Sequence, residues 1–208
     1  MAGWDEDGPR LAANLRKAQQ AAVRDALARR MLTLADIRSW HRTIMQGLFV
    51  EDAARLGVAA ADLLGEFRGP PKLENIEVAI GLHQGVPSAQ VATTCERWIA
   101  TLQALLSELD VRWPRERLDD LDEDGVRAVA ETAAWVHSEW VRIHPFANGN
   151  GRIARLLGNA VLVRYGLPPV FRLRPRPEGA YALAAMQSMY GDHQPMADYV
   201  IAQLQQFP

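Results

Sequence analysis

Apolar residues recur along most of the chain at intervals of three and four, the spacing of a helix with one buried face. The cleanest run is Gly125 to Ile143, where Val126, Val129, Ala133, Val136, Trp140 and Ile143 step by three, four, three, four and three. Leu11 to Met31 carries Leu11, Leu15, Ala18, Ala22 and Leu27 at helical spacings, in a segment rich in strong helix formers. Thr33 with Asp36 resembles an N-cap with an acid in the first turn, and opens a second helix through Trp40, Ile44 and Leu48. Val86-Pro87-Ser88 opens a third, with Val91, Trp98, Leu102 and Leu105. A further helix runs from about Asn150 to Tyr165 and stops at Gly166, with Pro168 beyond. Two short helices, Glu178 to Tyr190 and Pro195 to Gln206, close the chain. One segment breaks this rhythm. Phe67 to Ile80 follows Gly65, contains Gly69, Pro70 and Pro71, and then alternates Ile76, Val78 and Ile80, the pattern of a short hairpin or extended flap. The expected fold is all-α with a short β-hairpin flap. Arg112 to Asp124, dense in charge, reads as a solvated loop between helices.

Composition narrows this picture. With 49% hydrophobic and 23% charged residues, the 208-residue chain is an ordinary globular sequence, not a disordered one. No apolar window approaches the roughly 18 residues of a membrane span. Asp5, Glu6 and Asp7 precede any apolar run, the reverse of a signal peptide, so the expectation is a cytoplasmic protein without a membrane partner. A net charge of −2 argues against a protein that grips nucleic acid by bulk electrostatics. The single cysteine, Cys95, excludes a disulfide framework and is expected to be buried and inert. Trp98, Trp135 and Trp140 read as core. His137 lies two turns before His144 on one helix face, but no third ligand accompanies them and a metal site there is not expected. Arg172, Arg174 and Arg176 alternate before Pro177. They could face a nucleotide or an acidic partner, but read better as an exposed strand edge. No G-x-x-x-x-G-K-[ST] segment occurs, so a P-loop is excluded.

The chemistry concentrates between the two best helices, in His144-Pro145-Phe146-Ala147-Asn148-Gly149-Asn150-Gly151-Arg152-Ile153-Ala154-Arg155. Pro145 ends the preceding helix, while Gly149 and Gly151 permit backbone conformations barred to other residues. The loop feeds a helix N-terminus, whose unpaired N–H groups and dipole favour an anion. Glycines on either side of Asn150 form a backbone nest for a phosphate. Arg152 and Arg155 share one helix face, which Asn159 continues, while Ile153, Leu156, Leu157 and Val161 turn to the core. The run predicts a cationic, phosphate-sized pocket with a histidine at its rim.

This run resembles the signature of Fic-domain proteins, H-P-F-x-[D/E]-G-N-G-R-x-x-R, matching every fixed position except the acidic one, where Asn148 stands. The resemblance extends from about Leu32 to Leu204 and takes in His41, Gly65-Glu66-Phe67-Arg68 and Tyr181. It implies a Fic domain over residues 32–208, with residues 1–31 as an N-terminal helix that packs on or extends the core. It implies an enzyme that transfers AMP from ATP to a Ser, Thr or Tyr hydroxyl of a target protein. His144 would be the general base and Phe146 the loop's anchor. Gly149, Asn150 and Gly151 would supply an anion hole, Arg152 would hold the β-phosphate side and Arg155 the γ-phosphate, and Asn159 and Tyr181 would line the nucleotide site. The flap, with Arg68, Leu73, Glu74, Asn75 and Ile76, would hold the target by strand addition.

Two departures qualify the resemblance. Asn148 replaces the acid that in the family holds Mg²⁺, and an amide oxygen gives a hard cation less electrostatic gain. The relative Doc also has Asn here and works as a kinase, but its loop replaces the Gly-Asn-Gly-Arg portion kept in this sequence. Retention of Gly151 and Arg152 favours AMP transfer. The alternatives are a kinase, a transferase with another nucleotide donor, or a catalytically weak domain that binds nucleotide or a partner. The second departure concerns control, because no Ser or Thr has Glu four residues on, as an inhibitory [S/T]-x-x-x-E-[G/N] helix requires. Inhibition is then absent or comes from a separate protein, as in a toxin–antitoxin pair.

Overall fold

The computed structural model describes residues 8–49, 53, 56–116 and 121–207. Seven α-helices are found among these residues: α1 (Pro9–Leu27), α2 (Leu34–Met45), α3 (Ser88–Arg112), α4 (Glu123–Ile143), α5 (Asn150–Arg164), α6 (Ala180–Ser188) and α7 (Gln194–Leu204). A single 3₁₀ turn, Ala60–Leu63, and a two-stranded hairpin, β1 (Ala79–Ile80) with β2 (His83–Gln84), lie between α2 and α3. None of the described helices is long and apolar enough to cross a membrane.

The α4 stripe makes this helix the centre of the molecule. Val129, Ala133, Val136, Trp140 and Ile143 are all buried, and α3, α5, α6 and α7 pack around them. The Asp122 carboxylate accepts the Gly125 N–H at 2.8 Å, capping the helix where its dipole favours an acid. Thr33 and Asp36 form the capping box that starts α2. Helix α1 lies on α2 and α5, and its Leu11, Leu15, Ala18 and Ala22 join the same continuous core. Trp98 and Trp140 are buried with ring centroids 4.8 Å apart, and Trp135 stacks on Trp98 from a half-buried position.

The flap differs from its expected form. The alternating run ends in the first strand instead of forming it, and the hairpin turns at Gly81 and Leu82, beyond the expected segment. Ile76 is buried, and the chain from Gly69 to Leu73 closes on itself through a single antiparallel bridge. Residues 171–176 form no strand either; they cross between α5 and α6 as irregular chain. Of the expected solvated loop, Arg112 belongs to the last turn of α3, Glu123 and Asp124 open α4, and residues 117–120 lie outside the described set.

Candidate active site

Helix α4 delivers His144 in an unusual backbone state. It caps the helix with φ 55° and ψ 56°, a left-handed conformation disfavoured for a side-chain-bearing residue. Its Nδ1 lies 2.9 Å from the Val141 carbonyl, which can only accept, so Nδ1 carries the proton and Nε2 keeps its lone pair. Burial pushes the imidazole pKa down to about 4, so the ring is neutral at physiological pH. A neutral ring with Nε2 unprotonated is the form a general base needs.

What holds this geometry is a buried guanidinium. Arg68, just before the flap, donates from Nε to the His144 carbonyl at 2.8 Å and from Nη2 to Val86 O at 2.8 Å and Ile143 O at 3.3 Å. Its Nη1 donates to Ile76 O at 2.9 Å and lies 3.4 Å from the Glu77 carboxylate. One cation thus satisfies the carbonyls at the C-terminal end of α4, where the dipole favours it, and ties both ends of the flap to the residue carrying the imidazole. Arg68, Leu73 and Ile76 are buried. These three side chains root the flap and leave only its main chain for a strand-adding target, while Glu74 and Asn75 are exposed.

The loop after His144 is fastened from inside. Phe146 is fully buried and stacks on His41 with centroids 3.8 Å apart. His41 accepts the Gly65 N–H at Nδ1, 2.9 Å, and donates from Nε2 to Asn148 O, 3.0 Å. Asn150 points its side chain inward and exchanges two hydrogen bonds with the Phe146 backbone, 2.9 and 2.8 Å. Its contribution to the pocket is therefore backbone, not amide. Gly149 sits at φ 81°, a left-handed state that favours glycine, and a Cβ there would come within 3.2 Å of His41 Nε2.

A cavity of about 410 Å³ opens over the start of α5. His144, Asn148, Gly149, Asn150, Gly151, Arg152, Arg155 and Tyr181 all line it, bringing together eight of the residues expected to bind or act. Asn159 is not among them. It is buried on α5 and clasps the Phe171 backbone, donating to its carbonyl at 2.7 Å and accepting its N–H at 2.9 Å, which corrects its expected place beside the nucleotide. Arg155 is buried, with Nη1 3.2 Å from Tyr181 Oη and Nη2 3.2 Å from Leu173 O. Behind it, His137 Nε2 lies 3.0 Å from the same Tyr181 hydroxyl. Because arginine can only donate, the hydroxyl proton goes to His137, whose pKa burial lowers to about 3. No carboxylate pairs with Arg155 among the described residues. A second groove, lined by Glu77, Val78, Ala79, Ala147, Asn148 and His144, runs between the flap and the loop. His144 stands where the two spaces meet.

The metal position does not suit a cation. The Asn148 side-chain oxygen accepts the Gly149 N–H of its own loop. No carboxylate lines the cavity, and no three His, Cys, Asp or Glu side chains converge among the described residues. The expected Mg²⁺ ligand is thus a neutral amide in a pocket whose charged side chains are arginines.

Sequence reasoning missed several contributors. Arg174 and Arg176 are exposed as expected but lie on irregular chain and line the cavity, the placement the sequence ranked second, and Leu11 of α1 closes one side of it. His137, read there as lacking ligand partners, supports Arg155 through Tyr181. The only available signal for the arginines was their alternation around Pro175.

The fold and this loop define a helical protein that presents a neutral histidine beside an anion pocket and a flap. The Fic/DOC family model matches residues 31–162, and the chain belongs to that family. Among curated relatives, it is 46% identical over 70 residues to a protein adenylyltransferase Fic of Nematostella vectensis, covering 34% of this chain and 16% of the relative. It is 30% identical over 130 residues to the protein adenylyltransferase fic-1 of Caenorhabditis briggsae, covering 62% and 25%. The chain thus spans a quarter or less of the length of these relatives. A Fic domain containing signaling protein from Bacteroides thetaiotaomicron superposes with a TM-score of 0.64 at 21% identity, over 94% of this chain and 70% of that one. The BepC protein of Bartonella tribocorum, solved with bound AMPPNP, gives 0.55 at 17% identity, over 91% and 85%.

Proposed function

We propose that this protein is an adenylyltransferase that moves AMP from ATP to a hydroxyl of a target protein. The observation that carries the reading is the place of His144, neutral and with Nε2 unprotonated, at the seam between the anion pocket and the flap groove. In this reading a target segment lies along residues 77–79 and pairs with the flap's main chain, so its recognition depends little on sequence. Its hydroxyl oxygen attacks the α-phosphorus, the bond to the pyrophosphate oxygen breaks, and the hydroxyl proton passes to His144 Nε2. The backbone N–H groups of Gly149 to Gly151 and the guanidinium of Arg152 stabilise the charge spread over the transferring group, and Arg155 holds the terminal phosphate so that the α-phosphate stands in line.

An acidic side chain on Arg155 would displace that terminal phosphate, and the described residues supply none. An inhibitor would then be a separate protein presenting a glutamate, the arrangement expected of a toxin and its antitoxin. Incubation of a lysate with α-labelled and γ-labelled ATP tests the reaction. Label retained only from the α position supports AMP transfer, label only from the γ position makes the protein a kinase, and label from neither reduces it to a binding domain.

A further inference from the structure

We infer that this site neutralises the phosphates of its nucleotide with arginines in place of a protein-held Mg²⁺, and that Arg174 and Arg176 are nucleotide-binding residues. The inference rests on the proposed function only for the ligand, a nucleoside triphosphate.

Three observations lead to it. The first is the charge around the cavity. Arg152 and Arg155 come from α5, and Arg174 and Arg176 from the segment that crosses in front of it. Together with the N-terminal end of α5 they make every charged group on the wall positive, with no carboxylate among the described lining residues. A divalent cation entering alone is repelled by such a wall, while a polyanion is drawn to it.

The second observation concerns the residues that could hold a metal. The Asn148 amide oxygen is turned onto the Gly149 N–H. Glu77, which lines the flap groove together with Asn148, accepts the Ser88 N–H at the start of α3 at 2.9 and 3.2 Å and faces Arg68 at 3.4 Å. The Ser88 hydrogen bonds hold its pKa below the ordinary carboxylate range. It is committed to the helix end and the flap root. Asn148 offers no charged oxygen, and the Glu77 carboxylate is already shared between the Ser88 N–H and Arg68.

The third observation is that the segment bearing the extra arginines is held in place. Asn159 clasps Phe171 from both sides of its peptide backbone, and the Leu173 carbonyl accepts from Arg155. Pro175, with its restricted backbone, stands between the two arginines. Arg172, the third member of the alternating set, turns away and donates to the Arg174 carbonyl at 3.2 Å. It does not line the cavity. Arg174 and Arg176 follow directly on this held segment and line the cavity, and Arg172 supplies an internal control. Asn159, displaced from its expected contact with nucleotide, acts here as a positioning residue.

Equilibrium binding of AMPPNP to the full chain, by calorimetry, tests this without requiring transfer. The wild-type affinity should stay within about twofold between Mg²⁺ and excess EDTA. Arg174→Gln and Arg176→Gln should each weaken binding about tenfold, the scale of a hydrogen bond to a charged group, while Arg172→Gln stays within about twofold. Asn148→Asp should bind more weakly than wild type in EDTA and recover when Mg²⁺ is added, because the new carboxylate needs a cation between itself and the phosphates. Circular dichroism confirms that each variant is folded. The inference is overturned if EDTA weakens wild-type binding about tenfold or more, if the Arg174 and Arg176 variants match the Arg172 variant, or if AMPPNP does not bind under either condition. A chain that binds AMPPNP in EDTA but transfers no α label keeps the inference and overturns the proposed function instead.

Discussion

The loop from His144 to Arg155 and the flap from Arg68 to Gly85 face each other across one histidine, and they are built in opposite ways. The loop is fixed along its whole length: Phe146 is sealed in the core, Asn150 closes on the Phe146 backbone, and His41 grips the Asn148 carbonyl. The flap is held chiefly at its root, where Arg68 gathers the Ile76, Val86 and His144 carbonyls, with His83 reaching the Arg142 carbonyl at 3.4 Å further out. Its tip, Leu82, is 94% exposed. The difference follows from what each must do. A site that stabilises developing charge gains from donors that need not reorganise, whereas a strand edge that accepts a partner needs unpaired backbone and little else.

The largest effect should come from the point where the two regions meet. His144→Ala is expected to reduce AMP transfer ~10²–10⁴-fold while leaving AMPPNP affinity and the fold unchanged, as measured by label incorporation and calorimetry. A wild-type rate in that variant would remove the histidine from the chemistry. Next is the root of the flap. Arg68→Met strips donors from several buried carbonyls and should cost about 3 kcal/mol or more in urea unfolding. A loss below about 1 kcal/mol would show that the flap is anchored some other way.

Acid should expose the inside of the loop. His41 and His137 are buried, and burial lowers their pKa values to about 4 and about 3. The unfolded chain, with histidine near ~6.5, binds these protons first, so stability is full above that pH and falls as the pH drops toward the folded values. By pH 5 the loss should be on the order of 2 kcal/mol for each histidine, and His137→Phe should flatten the stability profile over that range. An unaltered slope in that variant would mean His137 is not the group being protonated.

The smallest effects separate loop from tip. Gly149→Ala forces a side chain into a left-handed backbone against His41 and should destabilise by about 1–2 kcal/mol. Leu82→Ser, at the tip of the flap, should change stability by less than about 0.5 kcal/mol. Equal losses at the two positions, read from urea midpoints, would erase the contrast between a fastened loop and an open flap.

The parts of this protein that were legible in its sequence are those whose physics is local. Helix periodicity, the Thr33 and Asp36 capping box, the stop at Gly166, and the glycines that let a loop feed a helix N-terminus all depend on residues a few positions apart. The motif from His144 to Arg155 could be read as a phosphate site for the same reason, since one short window holds the base, the nest and two cations. Tertiary structure decided what a long side chain meets after the chain returns. Arg68 reads as an ordinary charged residue until the end of α4 arrives beside it, and only then does burial with several carbonyls become favourable. Asn159 shares a helix face with the motif arginines, but the Phe171 backbone claims it first. Arg174 and Arg176 sit 22 and 24 positions beyond Arg152 in the numbering. No local rule says that α5, an intervening turn and the clasp on Phe171 will bring them over the same cavity, because a guanidinium's partner is set by the packing of whole helices and not by its neighbours in the chain.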